Sequence, residues 1–267
     1  WGRALSLAER ANEIAEGAHV EALYRIARIH ALLGHRKDAL DALQRAHDAG
    51  VLDVTALRLD EAFAPLRGDE RFRALSKAIG TKRYITMLER KGRDVFQKPD
   101  EVIQALALRP GERVADVGAG SGYFTLRVAR AVGPRGQVLA IDINPDLLEF
   151  LDRRAKEEGL ANVKTVRVGK DDPRLPPAGV DTVLMVDTFH YVTDRAGYAR
   201  TLRAGLAPGG RIAIIDYLPW TDLPGAPPPE RRLSRESLDE AMAAAGLVPA
   251  KVHEFLTEQL FVEYVVR

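Results

Sequence analysis

The stretch Val114-Ala-Asp116-Val-Gly118-Ala119-Gly120-Ser-Gly122-Tyr123-Phe-Thr125 reads as a strand, a glycine-rich turn and the first residues of a helix. Glycines at Gly118, Gly120 and Gly122 let the backbone bend sharply and approach a ligand that side chains would hold off. A plain strand-to-helix turn needs one glycine and not three at alternate positions, so a cofactor is expected against this loop. A dinucleotide fingerprint, G-x-G-x-x-G, would place its third glycine where Tyr123 stands, which disfavours a nicotinamide cofactor.

Outward from this turn, short apolar runs alternate with helical patterns, as expected for a parallel sheet covered on both faces. The runs are Arg113 to Val117, Gln137 to Ile141, Val163 to Val168, Thr182 to Val186 and Arg211 to Ile215. After a helix over Ser234 to Ala245, the strands Leu247 to Phe255 and Leu260 to Val266 are joined by too few residues for a crossover, so they must form an antiparallel hairpin. The expected fold class is therefore α/β, a seven-stranded, mostly parallel Rossmann-like sheet with an antiparallel last strand, preceded by a small all-helical domain.

That preceding part, Leu5 to Ile79, has apolar residues at helical spacing, as in Leu23, Ile26 and Ala27 and again in Leu40 and Leu43. Gly34 and Gly50 stand where a glycine in the left-handed conformation stops a helix. The expected domains are 1–80 (helical), 81–98 (a linker or lid helix) and 99–267 (the α/β domain). The segment Ala31 to Ala46 resembles the middle of a tetratricopeptide repeat, with Phe63 to Phe72 as a degenerate cap. One repeat and a cap make no long solenoid. A small helical layer packed on the enzyme and a protein-binding module both remain open.

The glycine loop preceded by Asp116 resembles motif I of class I S-adenosylmethionine-dependent methyltransferases, and the resemblance runs from Val95 to Arg267. It implies S-adenosyl-L-methionine as the cofactor, with the loop residues Asp116, Gly118, Ala119, Gly120, Gly122 and Tyr123 around its methionine portion. Asp142, at the end of the second strand and followed by Ile143, suits a carboxylate accepting from both ribose hydroxyls. It could alternatively cap the helix after it, a role that Asn144 before Pro145 fills better. In the family the turn after the third strand holds the adenine, so Asp171 or Asp172 is implied there; both could also be simple turn residues. Val186, Asp187, His190 and Tyr191 end the fourth strand, the segment that in the family passes under the methyl group. Ligands in open α/β sheets bind outside the carboxyl ends of the strands, so Asp187, His190 and Tyr191 are the catalytic candidates. His190 could take a proton from a substrate or be a packed histidine.

The segment Asp94 to Val102 and the stretch Pro227 to Ser234 recur in a branch of the family near the arsenite and ubiquinone-biosynthesis types, which implies Phe96 and Gln97 as a lid over the cofactor. Asp187 and Asp216 fall roughly where catechol-type enzymes hold magnesium, but Tyr217 stands where such sites prefer Asn, so a metal is possible and not favoured.

The chain has 267 residues, with 39 basic against 38 acidic side chains, so no global field favours a polyanion. The strand-four segment Asp187-Thr-Phe-His190 also lacks the Asp/Asn-Pro-Pro-Tyr/Phe pattern of base methylation, so nucleic acid is not an expected partner. No apolar run is long enough to span a bilayer, so no membrane insertion is expected. The absence of Cys removes disulfides, thiolate metal sites and cysteine nucleophiles. The chain opens on Trp1 and not Met, so a lost upstream segment, a cleaved targeting peptide included, is an expectation. The family's cofactor is made in the cytoplasm, the expected compartment. The expected acceptor is a small molecule. The alternatives are a protein or peptide substrate docked by the N-terminal helices, or a non-catalytic cofactor-binding protein.

Overall fold

A computed structural model describes residues 19–223 and 225–267, so the part of the helical reading from Leu5 to residue 18, and Pro224, lie outside the described residues. The chain divides into two compact units, Trp1–Met87 and Leu88–Arg267.

The first unit is helical: α1 over 19–32, α2 (Arg36–Ala49), α3 (Val54–Leu59), a 3-10 turn (Glu61–Leu66) and α4 (Glu70–Leu88). Alternating small and large side chains, Ala27, Ala31, Ala39 and Ala46 with Leu40, Leu43, Leu57 and Phe63, bury against one another in its core. Gly34 takes φ 76° between α1 and α2, where the amides of Gly34 and His35 bond back to the carbonyls of Ala31 and His30 at 3.1 and 2.9 Å. Those are the two bonds of a Schellman motif. Gly50 departs from expectation. Its φ of −179° is extended backbone, and what demands glycine there is space, because a Cβ would lie 2.5 Å from Val20 Cγ2.

The second unit holds α5 (Arg93–Gln97) and α6 (Pro99–Leu106), then a seven-stranded sheet. Its strands are β1 (Arg113–Val117), β2 (Gln137–Asp142), β3 (Val163–Arg167), β4 (Val180–Val186), β5 (Leu206–Tyr217), β6 (Leu247–His253) and β7 (Gln259–Val266). The crossover helices are α7 (Thr125–Val132), α8 (Pro145–Glu157) and α9 (Arg195–Gly205), and α10 (Arg235–Ala243) leads to the final hairpin. The spatial order is β3-β2-β1-β4-β5-β7-β6. Strands β1 to β5 pair in parallel, while β7 runs antiparallel to both β5 and β6.

Side chains alternate across the sheet, so Ala115, Val117, Val183, Met185, Ile212 and Ile214 enter one core and Val114, Leu184, Val186, Ala213 and Ile215 the other. Burial on both faces is why these strands read as continuous apolar runs. Strand β5 begins earlier than its sequence pattern indicates: Val180 pairs with Leu206 and Thr182 with Arg211, so Ala207 to Gly210 bulge out of register. The strand order reverses between β1 and β4, and the carboxyl ends of β1, β2, β4 and β5 surround that crevice.

Candidate active site

The glycine loop leaves β1 with all three glycines at positive φ, 82° at Gly118, 56° at Gly120 and 89° at Gly122. A Cβ on Gly118 would fall 2.2 Å from Thr188 Oγ1, and one on Gly122 would fall 2.8 Å from Leu151 Cγ of α8. The loop is thus wedged between the end of β4 and a crossover helix. The amides of Gly118 and Ala119 donate to the Ile141 carbonyl at 2.8 and 3.0 Å, which fixes the loop on β2.

Asp142, half-buried at the end of β2, accepts from the Gly120 amide at 2.9 Å through one oxygen and from the Asn144 amide at 2.8 Å through the other. Each oxygen keeps a lone pair for another donor. The capping of α8 belongs to Asn144, whose side chain accepts from the Asp146 amide at 3.0 Å. Beneath the loop, Asp116 is buried and accepts from Thr125 Oγ1 at 2.5 Å. Burial pushes its carboxyl up to about 6, a shift that the Thr125 bond opposes and the nearby Asp142 charge reinforces.

At the end of β4 the chain turns through Asp187 with φ 52°, left-handed backbone that a non-glycine residue adopts only where its surroundings hold it there. The Asp187 amide donates to the Ile215 carbonyl at 2.9 Å. Its carboxylate accepts from Gln97 Nε2 at 2.9 Å and from Gln259 Nε2, and the Arg93 guanidinium stands 3.6 Å away. Arg93 Nε donates in turn to Gln97 Oε1, and its Cζ lies 4.0 Å from the centre of the Tyr123 ring. Burial pushes Asp187 up to about 7; Arg93 and His190 pull the other way, and Asp216 adds to the rise.

His190 is buried in the turn after β4. Its Nδ1 lies 2.7 Å from Asp216 Oδ1, and its backbone amide donates to Asp216 Oδ2 at 3.0 Å. Since a carboxylate only accepts, Nδ1 donates to it, and in the neutral imidazole Nε2 is then the acceptor. His190 Nε2 has no partner among the described residues, and neither has Gln259 Oε1. Buried polar atoms are rarely left so, and a water or a bound molecule that donates to these two would complete them. The exposed Tyr191 ring packs 4.0 Å from the His190 ring, centre to centre.

The structure therefore draws Gln97 to Asp187, Gly120 to Asp142, and His190 and Tyr191 together beside Asp216. Val186 is buried just before them. Tyr123 turns its hydroxyl to Asp94 and lies between the guanidinium groups of Arg93 and Arg127. Asp171, Asp172 and Ile143 are exposed, and Asp172 accepts from the Arg174 amide at 2.8 Å. Two participants, Arg93 and Gln259, escaped the sequence reading, and a third, Asp216, was read only as an acid at a magnesium-like position. Arg93 carried a signal, since it precedes Gln97 by one helical turn. Asp216 was visible as an acid ending a strand but not as the partner of His190. Gln259 carried none, because only the pairing of β7 with β5 brings it opposite Tyr217.

Residues 115–212 match a family described as "Methyltransferase domain". Over 116 residues, 43% of the chain, it is 32% identical to the ubiquinone/menaquinone biosynthesis C-methyltransferase UbiE of Ectopseudomonas mendocina and 29% identical to that of Shewanella frigidimarina. These matches span 45% and 46% of the two relatives, less than half of their length. A solved S-adenosylmethionine-dependent methyltransferase from Aquifex aeolicus superposes with a TM-score of 0.64 at 26% identity, covering 68% of this chain and 97% of that one. The [4+2]-cyclase SpnF shares the fold, with a TM-score of 0.54 at 18% identity, 64% of this chain and 80% of that one being covered.

Proposed function

We propose that the protein is a class I, S-adenosylmethionine-dependent methyltransferase that methylates a small-molecule acceptor beside the carboxyl ends of β4 and β5, with His190 removing the acceptor's proton. The observation that carries this reading is the buried, unpartnered Nε2 of an imidazole whose Nδ1 is held by Asp216 at 2.7 Å.

The chain's own residues fit the cofactor. Positive-φ glycines bring backbone, and no side chain, to the crevice at Gly120, and the Asp142 carboxylate retains the lone pairs that two ribose hydroxyls need. Gly118, Ala119, Gly120 and Gly122 would follow the methionine portion, with Asp116 and Tyr123 bracing the loop. Exposed Ile143 would offer an apolar face to the adenine, and Asp171 or Asp172 an acceptor for its amine. When bound, the cofactor supplies an electrophilic methyl group on a sulfonium whose departure leaves a neutral thioether. Val186 and the Gln97–Asp187 pair would wall the site below, and burial there excludes water.

The work left to the protein is alignment, which contributes on the order of 7 kcal/mol for well-placed reactants, and removal of one proton. That proton goes from the acceptor to His190 Nε2, while Asp216 fixes the tautomer and balances the imidazolium that forms. An acceptor with an ionisable proton on an activated carbon suits this base, and the C-methyltransferase relatives favour carbon over a heteroatom. A protein acceptor is the second reading. It is favoured by the exposed Ile26, Ile29 and Leu32 along α1 and Leu33 just after it, the last two in the segment that resembles a tetratricopeptide repeat. We place the activity in the cytoplasm, where the cofactor is made.

Calorimetric titration with S-adenosylmethionine and S-adenosylhomocysteine tests the cofactor. Saturable binding by the parent chain, lost in Asp142→Ala and kept in His190→Asn, supports the assignment. No binding by the parent overturns it.

A further inference from the structure

The Schellman motif that ends α1 places His30 and His35 at the two positions whose side chains such a motif brings into contact, usually as an apolar pair. Here both are imidazoles, and their Nδ1 atoms lie 3.4 Å apart. That is long for a hydrogen bond between ring nitrogens. It equals the separation of two ligand atoms on a tetrahedral zinc ion, roughly 3.3–3.4 Å for Zn–N bonds of about 2.0–2.1 Å. A third ligand type stands ready, because the Asp38 carboxylate in the first turn of α2 has an oxygen within 4.8 Å of a ring nitrogen of each histidine. A rotation of its exposed side chain can close the remaining distance.

We infer that His30, His35 and Asp38 form a site for a divalent transition-metal ion of the zinc type, joining the end of α1 to the start of α2 through His30 Nδ1 and His35 Nδ1.

Four features support it. The backbone brings the two residues together in advance, since the His35 amide is bound to the His30 carbonyl at 2.9 Å. The neighbouring cations are engaged elsewhere, Arg36 with Asp69 and Lys37 with Asp41 at 2.8 Å. His35 caps α2 without a side-chain hydrogen bond, so its imidazole has no competing duty there. The carbonyl end of α1 favours a cation, and Asp38 offsets the positive amino end of α2. Two histidines and one carboxylate leave a fourth position open to water. The site lies in the helical unit, outside the methyl-transfer machinery. Its expected effect is to clamp the α1–α2 turn.

The test uses the full chain, free of any affinity tag and stripped with a chelator. Zinc is titrated calorimetrically, and cobalt is followed by its visible absorption, which is intense in a tetrahedral site. One ion per chain is expected, weakened at least about tenfold by His35→Ala, less by Asp38→Asn, and unchanged by His19→Gln. Zinc should also raise the unfolding midpoint of the parent and not of His35→Ala, which separates a site from surface adsorption. Either no stoichiometric binding or binding that His35→Ala leaves intact overturns the proposal. The exposed position of His35 makes loss of fold a poor explanation for its effect, and far-ultraviolet circular dichroism of the variant checks that directly.

Discussion

Burial raises the Asp116 carboxyl from 3.8 to about 6, so the folded chain holds this proton more tightly than the unfolded chain does. The stability associated with the group is then fully present below about pH 4 and is lost as pH rises to about 6. Asp116→Asn keeps an oxygen for the Thr125 hydroxyl and carries no charge. It should be more stable than the parent at pH 8, by on the order of 2 kcal/mol, with the difference vanishing near pH 4. Urea denaturation at the two pH values decides; an equal difference at both means that the carboxyl is not desolvated. A second prediction concerns His190 and Asp216. Once an acceptor is in hand, His190→Asn should lower kcat by about 10²–10⁴-fold with cofactor affinity unchanged. Asp216→Asn should lower kcat as well and alter its pH profile, because an amide can stabilise the wrong imidazole tautomer. Unchanged turnover in either variant would return His190 to a packing role.

The glycine turn and its neighbours act as one element. Gly111 and Gly118 both have positive φ, 90° and 82°, but a Cβ on Gly111 meets nothing within 4 Å, whereas one on Gly118 meets Thr188 Oγ1 at 2.2 Å. Gly111→Ala therefore measures backbone strain alone, expected at about 1 kcal/mol, and Gly118→Ala adds a collision costing about 1–3 kcal/mol more. Equal losses in a denaturation series would show that the Thr188 contact yields freely. The positions of β1, β2 and β4 were legible as apolar runs bounded by turn residues. The start of β5 was not, because Pro208-Gly209-Gly210 reads as a turn while the strand begins before it and bulges. Gly50 was misread for a related reason: a local pattern reports that glycine is needed, and only the packing of Val20 shows that the need is for room.

At the scale of the molecule, the buried apolar clusters separate, one within residues 20–79 and the others within 102–264. Each unit has its own core, so scanning calorimetry should resolve two transitions. S-Adenosylhomocysteine at 100 times its Kd should stabilise only the second unit, by about 2.7 kcal/mol, or roughly 5–10 °C for a domain of that size. A shift of both transitions together would mean that the units unfold as one. Solved relatives that share the fold include a [4+2]-cyclase, so the reaction rests on the site and not on the sheet order.

The sequence by itself determined the α/β class, the antiparallel hairpin at the end, the glycine turn after β1 and the acid that ends β2. Each depends on residues close together in the chain, where periodicity, glycine spacing and loop length act directly. The tertiary structure decided which polar groups meet. His190 finds Asp216 because β4 and β5 lie side by side with Val186 opposite Ile215, and Asp187 meets Gln259 because β7 doubles back along β5. Such partners are separated by tens of residues, and their pairing is set by strand register, which local sequence does not encode.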